Sequence, residues 1–379
     1  MRAIRFVLPA VVVALGVAPS AHAAGPVDVV ATGLNSPRHL EFGARGDLFV
    51  AEAGTGGTEE PCFDSPEGFA CVGATGAVTK IDRWGRKTRV ADHLASYANK
   101  ETRGGAIGPH GIAVIGKDTV IVTNGGPTAP TVGTPPVVVT REDMAKENRI
   151  ANLFGRIFLI GPFGIPVPLA DTYAFERDVN PDKVVGNPLV DTNPVDVEVD
   201  GLSLVYADAG GNALNKVNLF GRISNLALFE NRAVTQPIPN PAMQAVPTSV
   251  EIGRDGNYYV SQLTGFPFPV GGANVYRVPA GGGAPEIFAS GFTNIVDLTF
   301  GRDGSLYVLE IAKNGLLAAF TANEWTGALI RIAPDGTRTE LVPGVLTAPG
   351  GVAVGSDGSL YVTNNSIFSD IGEVIRIRP

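Results

Sequence analysis

Cysteine, methionine, tryptophan and histidine are all scarce in this 379-residue chain, which has two Cys, three Met, two Trp and four His. Two cysteines exclude a scaffold built on disulfides. The only long apolar run lies at the N-terminus, which excludes a multi-span membrane protein. Charged residues make up 17% of the chain, with a formal net charge of −8 and no basic patch. That balance leaves no nucleic-acid partner and no attraction to anionic membrane surfaces. The plentiful residues are turn formers, 48 Gly and 29 Pro, without a three-residue period. With 44% apolar residues, this composition suits an all-β protein with many tight turns.

The N-terminus carries a secretory pattern: Arg2 and Arg5, an apolar stretch from Phe6 to Ala18, and the small-x-small site Ala21-His22-Ala23. The stretch falls short of the roughly 20 residues that span a bilayer. Residues 1–23 are therefore expected to be a signal peptide and residues 24–379 the exported protein, with no membrane insertion after cleavage. In an oxidising compartment Cys62 and Cys71, in the loop EPCFDSPEGFACVG, are expected to form one local disulfide.

A sixfold internal repeat organises the rest. Its first strands read SPRHLEFG from Ser36, GPHGIAV from Gly108, NPVDVEV from Asn193, VPTSVEIG from Val246, NIVDLTFG from Asn294 and APGGVAVG from Ala348. Second strands follow as GDLFVAE, DTVIVTN, LSLVYAD, GNYYVSQ, GSLYVLE and GSLYVTN. Asp255-Gly256, Asp303-Gly304 and Asp357-Gly358 predict type I′ hairpin turns between them. Third and fourth strands complete most units, but the sixth stops at Pro379 after its third. VDVVATGL, Val27 to Leu34, has the fourth-strand pattern and precedes the first unit. The expected fold is an all-β, six-bladed β-propeller of four-stranded blades in one domain, closed by this N-terminal strand completing the last blade. The second-blade insertion predicts a short helix capped by Thr140, and the fifth-blade insertion AKNGLLAAFTANEW is apolar.

Aligned second strands put Glu52, Asn124, Asp208, Gln262, Glu310 and Asn364 in one column of oxygen-bearing side chains. Two readings stand open. These residues could line a ligand-binding mouth, with Glu52, Asp208 and Glu310 as metal ligands for a hard cation such as Ca²⁺. Alternatively, they satisfy backbone N–H groups where each strand turns outward. The first-strand column adds His39, Gly111, Asp196, Ser249, Asp297 and Gly351, with Arg38 and His110 one residue earlier. Asp196 and Asp297 join the candidate ligand-binding set, and His39 and His110 are the candidate acid/base residues. Structural capping of the channel entrance is the alternative for both histidines. Glu41, Glu198 and Glu251 lie two residues deeper and would narrow an acidic channel. No G-x-S-x-G elbow, H-E-x-x-H or phosphate loop is present.

The run ATGLNSPRHLEFGARGDLFVAEAGTGG, the loop PCFDSPEGFACVGATGAVTKID, GPHGIAV and the closing GSLYVTNN together resemble the secreted ScyD/ScyE family over nearly the whole mature chain. The resemblance implies an exported six-bladed propeller akin to NHL-repeat proteins, and supplies no established catalytic residues. A more distant likeness to gluconolactonase and strictosidine-synthase propellers rests on fold. Two functions follow as expectations. One is a non-catalytic binding or scaffold protein, a monomer taking a small molecule or protein at its mouth. The other is a Ca²⁺-dependent hydrolase or lactonase.

Overall fold

The computed structural model describes residues 27–65, 68–126, 129–130 and 138–378. The secretory segment and most of the PTAPTVGTPP stretch lie outside them. Six antiparallel sheets are built on the innermost strands Pro37–Phe42, Pro109–Ile115, Pro194–Asp200, Pro247–Ile252, Ile295–Phe300 and Gly351–Val354, here blades 1 to 6. Each innermost strand lies beside that of the next blade, and the sixth lies beside the first, which closes a ring. Blade 3 gives the pattern: Pro194–Asp200, Ser203–Asp208, Ala213–Val217 and Ile223–Leu228 pair in chain order from the channel outward. Blade 6 takes its outer strand from the far end of the chain. Val27–Leu34 runs antiparallel to Gly372–Ile377, with Val27 opposite Ile377 and Leu34 opposite Gly372.

The strands are apolar on both faces because each blade is covered on both sides. In Leu48–Glu52, Phe49 and Ala51 pack into the seam with blade 2, while Leu48 and Val50 pack into the seam with blade 6. Side chains alternate across a strand, so a run such as LFVA serves two interfaces at once. Every one of the six seams has its own cluster of buried apolar side chains. The core is therefore a set of six radial layers rather than one central mass.

Near the axis the innermost strands crowd, and two glycines answer that crowding. A Cβ on Gly111 would lie 2.4 Å from Asp196 Cα, and one on Gly351 would lie 2.8 Å from His39 Cα. Any side chain there would push neighbouring strands apart.

The Asp-Gly hairpins differ from the expected type I′ turns. Gly256, Gly304 and Gly358 have φ of 77°, 84° and 80°, whereas the preceding aspartates are not in the left-handed region. Each turn is a three-residue loop ending in a left-handed glycine, closed for example by Gly253 N–H donating to Asn257 O at 2.9 Å. The aspartates accept from the N–H two residues on, as Asp303 Oδ1 does from Ser305 at 3.0 Å. This local bond holds them in the ordinary region of φ.

Cys62 and Cys71 are joined by a disulfide across paired strands Cys62–Ser65 and Gly68–Ile81. This hairpin packs Phe63, Ala70 and Val72 against Met144, Ala151 and Phe154 of the blade 2 insertion. The expected helix is present as Arg141–Glu147, with Thr140 Oγ1 accepting from Asp143 N–H at 3.1 Å. A second helix, Thr172–Val179, was not marked by the repeat pattern; Asp171 caps it by accepting from Ala174 N–H at 2.9 Å.

Candidate functional site

The first-strand column converges on the channel. His39 from blade 1, Asp196 from blade 3 and Asp297 from blade 5 place ligand-capable atoms within 4.8 Å of one another, the one such trio of His, Cys, Asp or Glu among the described residues. His39 Nδ1 lies 2.8 Å from Asp196 Oδ1, and its Nε2 lies 3.2 Å from the Val296 carbonyl. Both partners accept only, so both ring nitrogens carry protons and the ring is an imidazolium. Burial alone would lower the His39 pKa, but the Asp297 and Asp196 charges outweigh it and raise it to about 9. A cationic ring with both N–H groups engaged is not poised as a general base at neutral pH.

The two aspartates are spoken for as well. Asp196 Oδ2 accepts from Val250 N–H at 2.8 Å, and Oδ1 also accepts from Val197 N–H at 2.8 Å. Asp297 accepts from Ser249 Oγ at 2.7 Å, Leu298 N–H at 2.8 Å and Val352 N–H at 2.7 Å. The trio thus ties the backbones of blades 1, 3, 4, 5 and 6 to a common hub.

His110 is different. Its ring packs edge-on to His39 with centroids 5.4 Å apart, and its buried Nδ1 has no hydrogen-bond partner among the described residues. Burial, with the cationic Arg38 and His39 nearby, pushes its pKa well below the ordinary value, so the imidazole is neutral. Arg38 and His110 both line a cavity of about 760 Å³ at the mouth. Its other walls are mainly apolar, including Ile311, Leu316, Phe320, Trp325, Ile367 and Phe368. Leu316 and Phe320 come from helix Leu316–Ala322 in the blade 5 insertion, whose apolar character the sequence displays. No Asp or Glu is among the described residues lining the cavity.

The second-strand column is buried, and all its members but Asn124 are engaged by hydrogen bonds close to their own blades. Glu52, Glu310 and Asn364 accept from the backbone N–H of Asn35, Thr293 and Thr347 at 2.8, 2.7 and 2.7 Å. Asp208 accepts from Asn193 N–H at 2.7 Å and Gly211 N–H at 3.0 Å. Gln262 accepts from Asn274 N–H at 3.2 Å, and the buried Asn124 carboxamide has no hydrogen-bond partner among the described residues. Glu52 is further held by Arg89 at 2.6 Å and by the Thr79 hydroxyl. The structure does not bring Glu52, Asp208 and Glu310 together around one point. In blades 1, 3, 5 and 6 the side chain clamps the loop that enters its own first strand.

Beyond the hub, Glu41, Glu198 and Glu251 line a second cavity of about 500 Å³ along the channel. Burial is the first cause that raises all three, taking Glu41 to about 7 and Glu251 to about 8. The channel is therefore polar on one side of the hub and mostly apolar on the other.

No protein-family model matches the chain, and no curated protein matches it in sequence. Solved structures do match in shape. A streptogramin B lyase aligns with a TM-score of 0.50 at 12% identity, covering 93% of this chain and 98% of the lyase. A protein provisionally assigned as a gluconolactonase aligns with a TM-score of 0.51 at 13% identity, over 94% and 96% of the two chains. A protein from Thermus thermophilus, provisionally assigned as an oxidoreductase (glucose dehydrogenase), aligns at 0.51 and 16%, over 93% and 99%. The structural neighbours are β-propellers of the SMP-30, gluconolactonase and virginiamycin B lyase-like kind, and at these identities what the chain shares with them is the fold.

Proposed function

We propose that this protein is an exported ligand-binding propeller whose mouth takes a small amphipathic molecule with an anionic or strongly hydrogen-bond-accepting end. The observation that carries this reading is the mouth cavity: apolar and aromatic walls, Arg38 and His110 on the inner strands, and no carboxylate among its described lining. Its volume of about 760 Å³ falls within the roughly 300–1,000 Å³ range of small-molecule sites. Arg38, whose guanidinium also donates to the Ala106 carbonyl, puts a positive charge in the cavity wall that favours a carboxylate or similar group, and Leu316, Phe320 and Trp325 offer surface to an apolar body.

Trp325 is a built-in reporter. Only two tryptophans are present, and Trp84 lies in a separate cavity on the loops around Asp82. In a Trp84→Phe background, aromatic and aliphatic carboxylates are expected to change Trp325 emission saturably, and Arg38→Ala is expected to weaken that response at least tenfold. Absence of a saturable response across uncharged, cationic and anionic amphiphiles would overturn the reading. N-terminal sequencing of exported protein, expected to begin at Ala24, tests the secretory part.

A second reading, a hydrolase or lactonase, draws on His110. His110 lines the cavity beside Arg38 as an uncharged imidazole, and a base there would take a proton from water as its oxygen attacks an acyl carbon, with the Arg38 charge favouring the developing oxyanion. The proton then passes to the departing alkoxide. Lactone and ester turnover lost in His110→Ala but retained in His39→Gln would favour this reading over binding alone.

A further inference from the structure

Away from the mouth, Glu176, Asp182 and Asp208 meet where the blade 2 insertion packs on blade 3. Glu176 is carried by helix Thr172–Val179, Asp182 by the 3-10 turn Pro181–Val185, and Asp208 by the end of strand Ser203–Asp208. All three are at most 2% exposed. None forms an ion pair with Lys or Arg among the described residues. Glu176 Oε1 and Asp182 Oδ1 are buried with no donor to them among the described residues, although the two carboxyl groups are within hydrogen-bonding reach of each other. Two acceptors that face one another need a cation or a shared proton between them.

The surroundings keep that space open. A Cβ on Gly211 would lie 3.3 Å from Glu176 Oε2 and 3.5 Å from Asp208 Oδ2, and one on Gly210 would lie 2.9 Å from Asp191 Oδ1. Asn212 Nδ2 donates to the other Asp182 oxygen at 3.1 Å, which fixes the carboxylate plane. Asp208 is oriented by Asn193 and Gly211 N–H groups. All the donors toward an ion are oxygens, with no imidazole or thiolate among them.

We infer that Glu176, Asp182 and Asp208, with Asp191 at the edge, form a Ca²⁺ site that fastens the blade 2 insertion to blade 3. A calcium shell of 2.3–2.6 Å accommodates irregular carboxylate geometry and spans about 5 Å between opposite ligand oxygens, so the facing Glu176 and Asp182 oxygens part to admit the ion, and the three carboxyl groups, whose oxygens do not all lie within 4.8 Å of one another, close around it. Mg²⁺ demands a tighter octahedron and is the discriminating control.

The test uses the full-length exported chain freed of metal with EDTA. Calorimetric titration with CaCl₂ alone is expected to give one tight site, and saturating Ca²⁺ is expected to raise the melting midpoint by about 3 °C or more. MgCl₂ is expected to bind at least tenfold more weakly. Glu176→Gln and Asp182→Asn should each weaken Ca²⁺ at least tenfold, and hydrogen exchange over residues 172–187 should slow on adding Ca²⁺ to the unmutated protein. That last measurement decides the matter even if a variant fails to fold. No binding to the unmutated protein, exchange protection elsewhere only, or unchanged affinity in both variants overturns the proposal and leaves a shared proton as the bridge.

Discussion

His39 donates to Asp196 at 2.8 Å across the channel, joining blade 1 to blade 3 through side chains that are 4% and 9% exposed. Breaking a buried charge pair by removing one partner costs about 3–5 kcal/mol, because the other charge is left uncompensated. Asp196→Asn and His39→Gln are therefore expected to lower unfolding free energy by about that much, measured by denaturant titration. A cost below about 1 kcal/mol would show that the pair is not a structural hub.

The same pair sets a pH dependence. The folded-state pKa of His39 is about 9 against an ordinary 6.5, so its contribution is fully present below 6.5 and is lost as pH rises to about 9. Glu41 and Glu251 act in the same direction over a lower window, since carboxyls raised from 4.5 to about 7 and about 8 lose stability as pH climbs between those values. Melting midpoints should fall steadily from pH 5 to pH 9. His39→Gln should flatten the part above pH 6.5, and a profile unchanged in that variant would refute the assignment.

Glu251→Gln mimics the protonated carboxyl that the folded channel prefers. At pH 9 it is expected to raise the melting midpoint by about 2–4 °C, with little effect at pH 5. Destabilisation at both pH values would show that the ionised form is the one the fold uses.

Asn364→Ala and Glu310→Ala should each cost about 1–3 kcal/mol by leaving the Thr347 or Thr293 N–H without its acceptor. Glu310→Gln retains the accepting oxygen and should recover most of the loss seen in Glu310→Ala, whereas Asn364→Asp should not, because Asn364 Nδ2 donates to Glu373 Oε1 at 2.9 Å. A cation held jointly by the column would give a different outcome, a calcium-dependent stability common to Glu52→Ala, Glu310→Ala and Asp208→Ala.

Replacing both Cys62 and Cys71 by Ser should cost about 2–3 kcal/mol or less, with unchanged circular dichroism. The bridge spans a sequence separation of 9 between strands that already pair. Collapse of the whole fold on reduction would contradict this.

The ring and its closure were legible in the sequence because duplication repeats the same turn, strand and hairpin six times, so VDVVATGL stands out as a displaced fourth strand. The disulfide was legible from the nine-residue separation of Cys62 and Cys71 and the expected oxidising compartment. The mouth was half legible: His39, Asp196 and Asp297 fall in one repeat column, but no periodicity tells that His39 Nε2 meets the Val296 carbonyl and so fixes its charge. Leu316, Phe320 and Trp325 lie in an insertion outside the repeat, where only their apolar character signals a role. The burial of Glu176 was invisible, since an amphipathic TYAFERDV helix ordinarily turns its acids to water; Asp171 before it marks the helix but not which face the blade covers. The turn type at Asp255, Asp303 and Asp357 depended on side-chain bonds two residues on, which dipeptide preference does not resolve.

The pairing of Val27–Leu34 with Gly372–Ile377 has a consequence for assembly. Nothing covalent joins the two ends of the ring, so the seam between first and last blades depends on this strand together with the packing of Leu40, Leu48 and Val50 against Ala353. If it peels away, Gly372–Ile377 becomes an exposed edge with a complementary strand free to diffuse. Another copy's strand fits that edge equally well, so crowded or heated preparations have a built-in route to strand-exchanged chains.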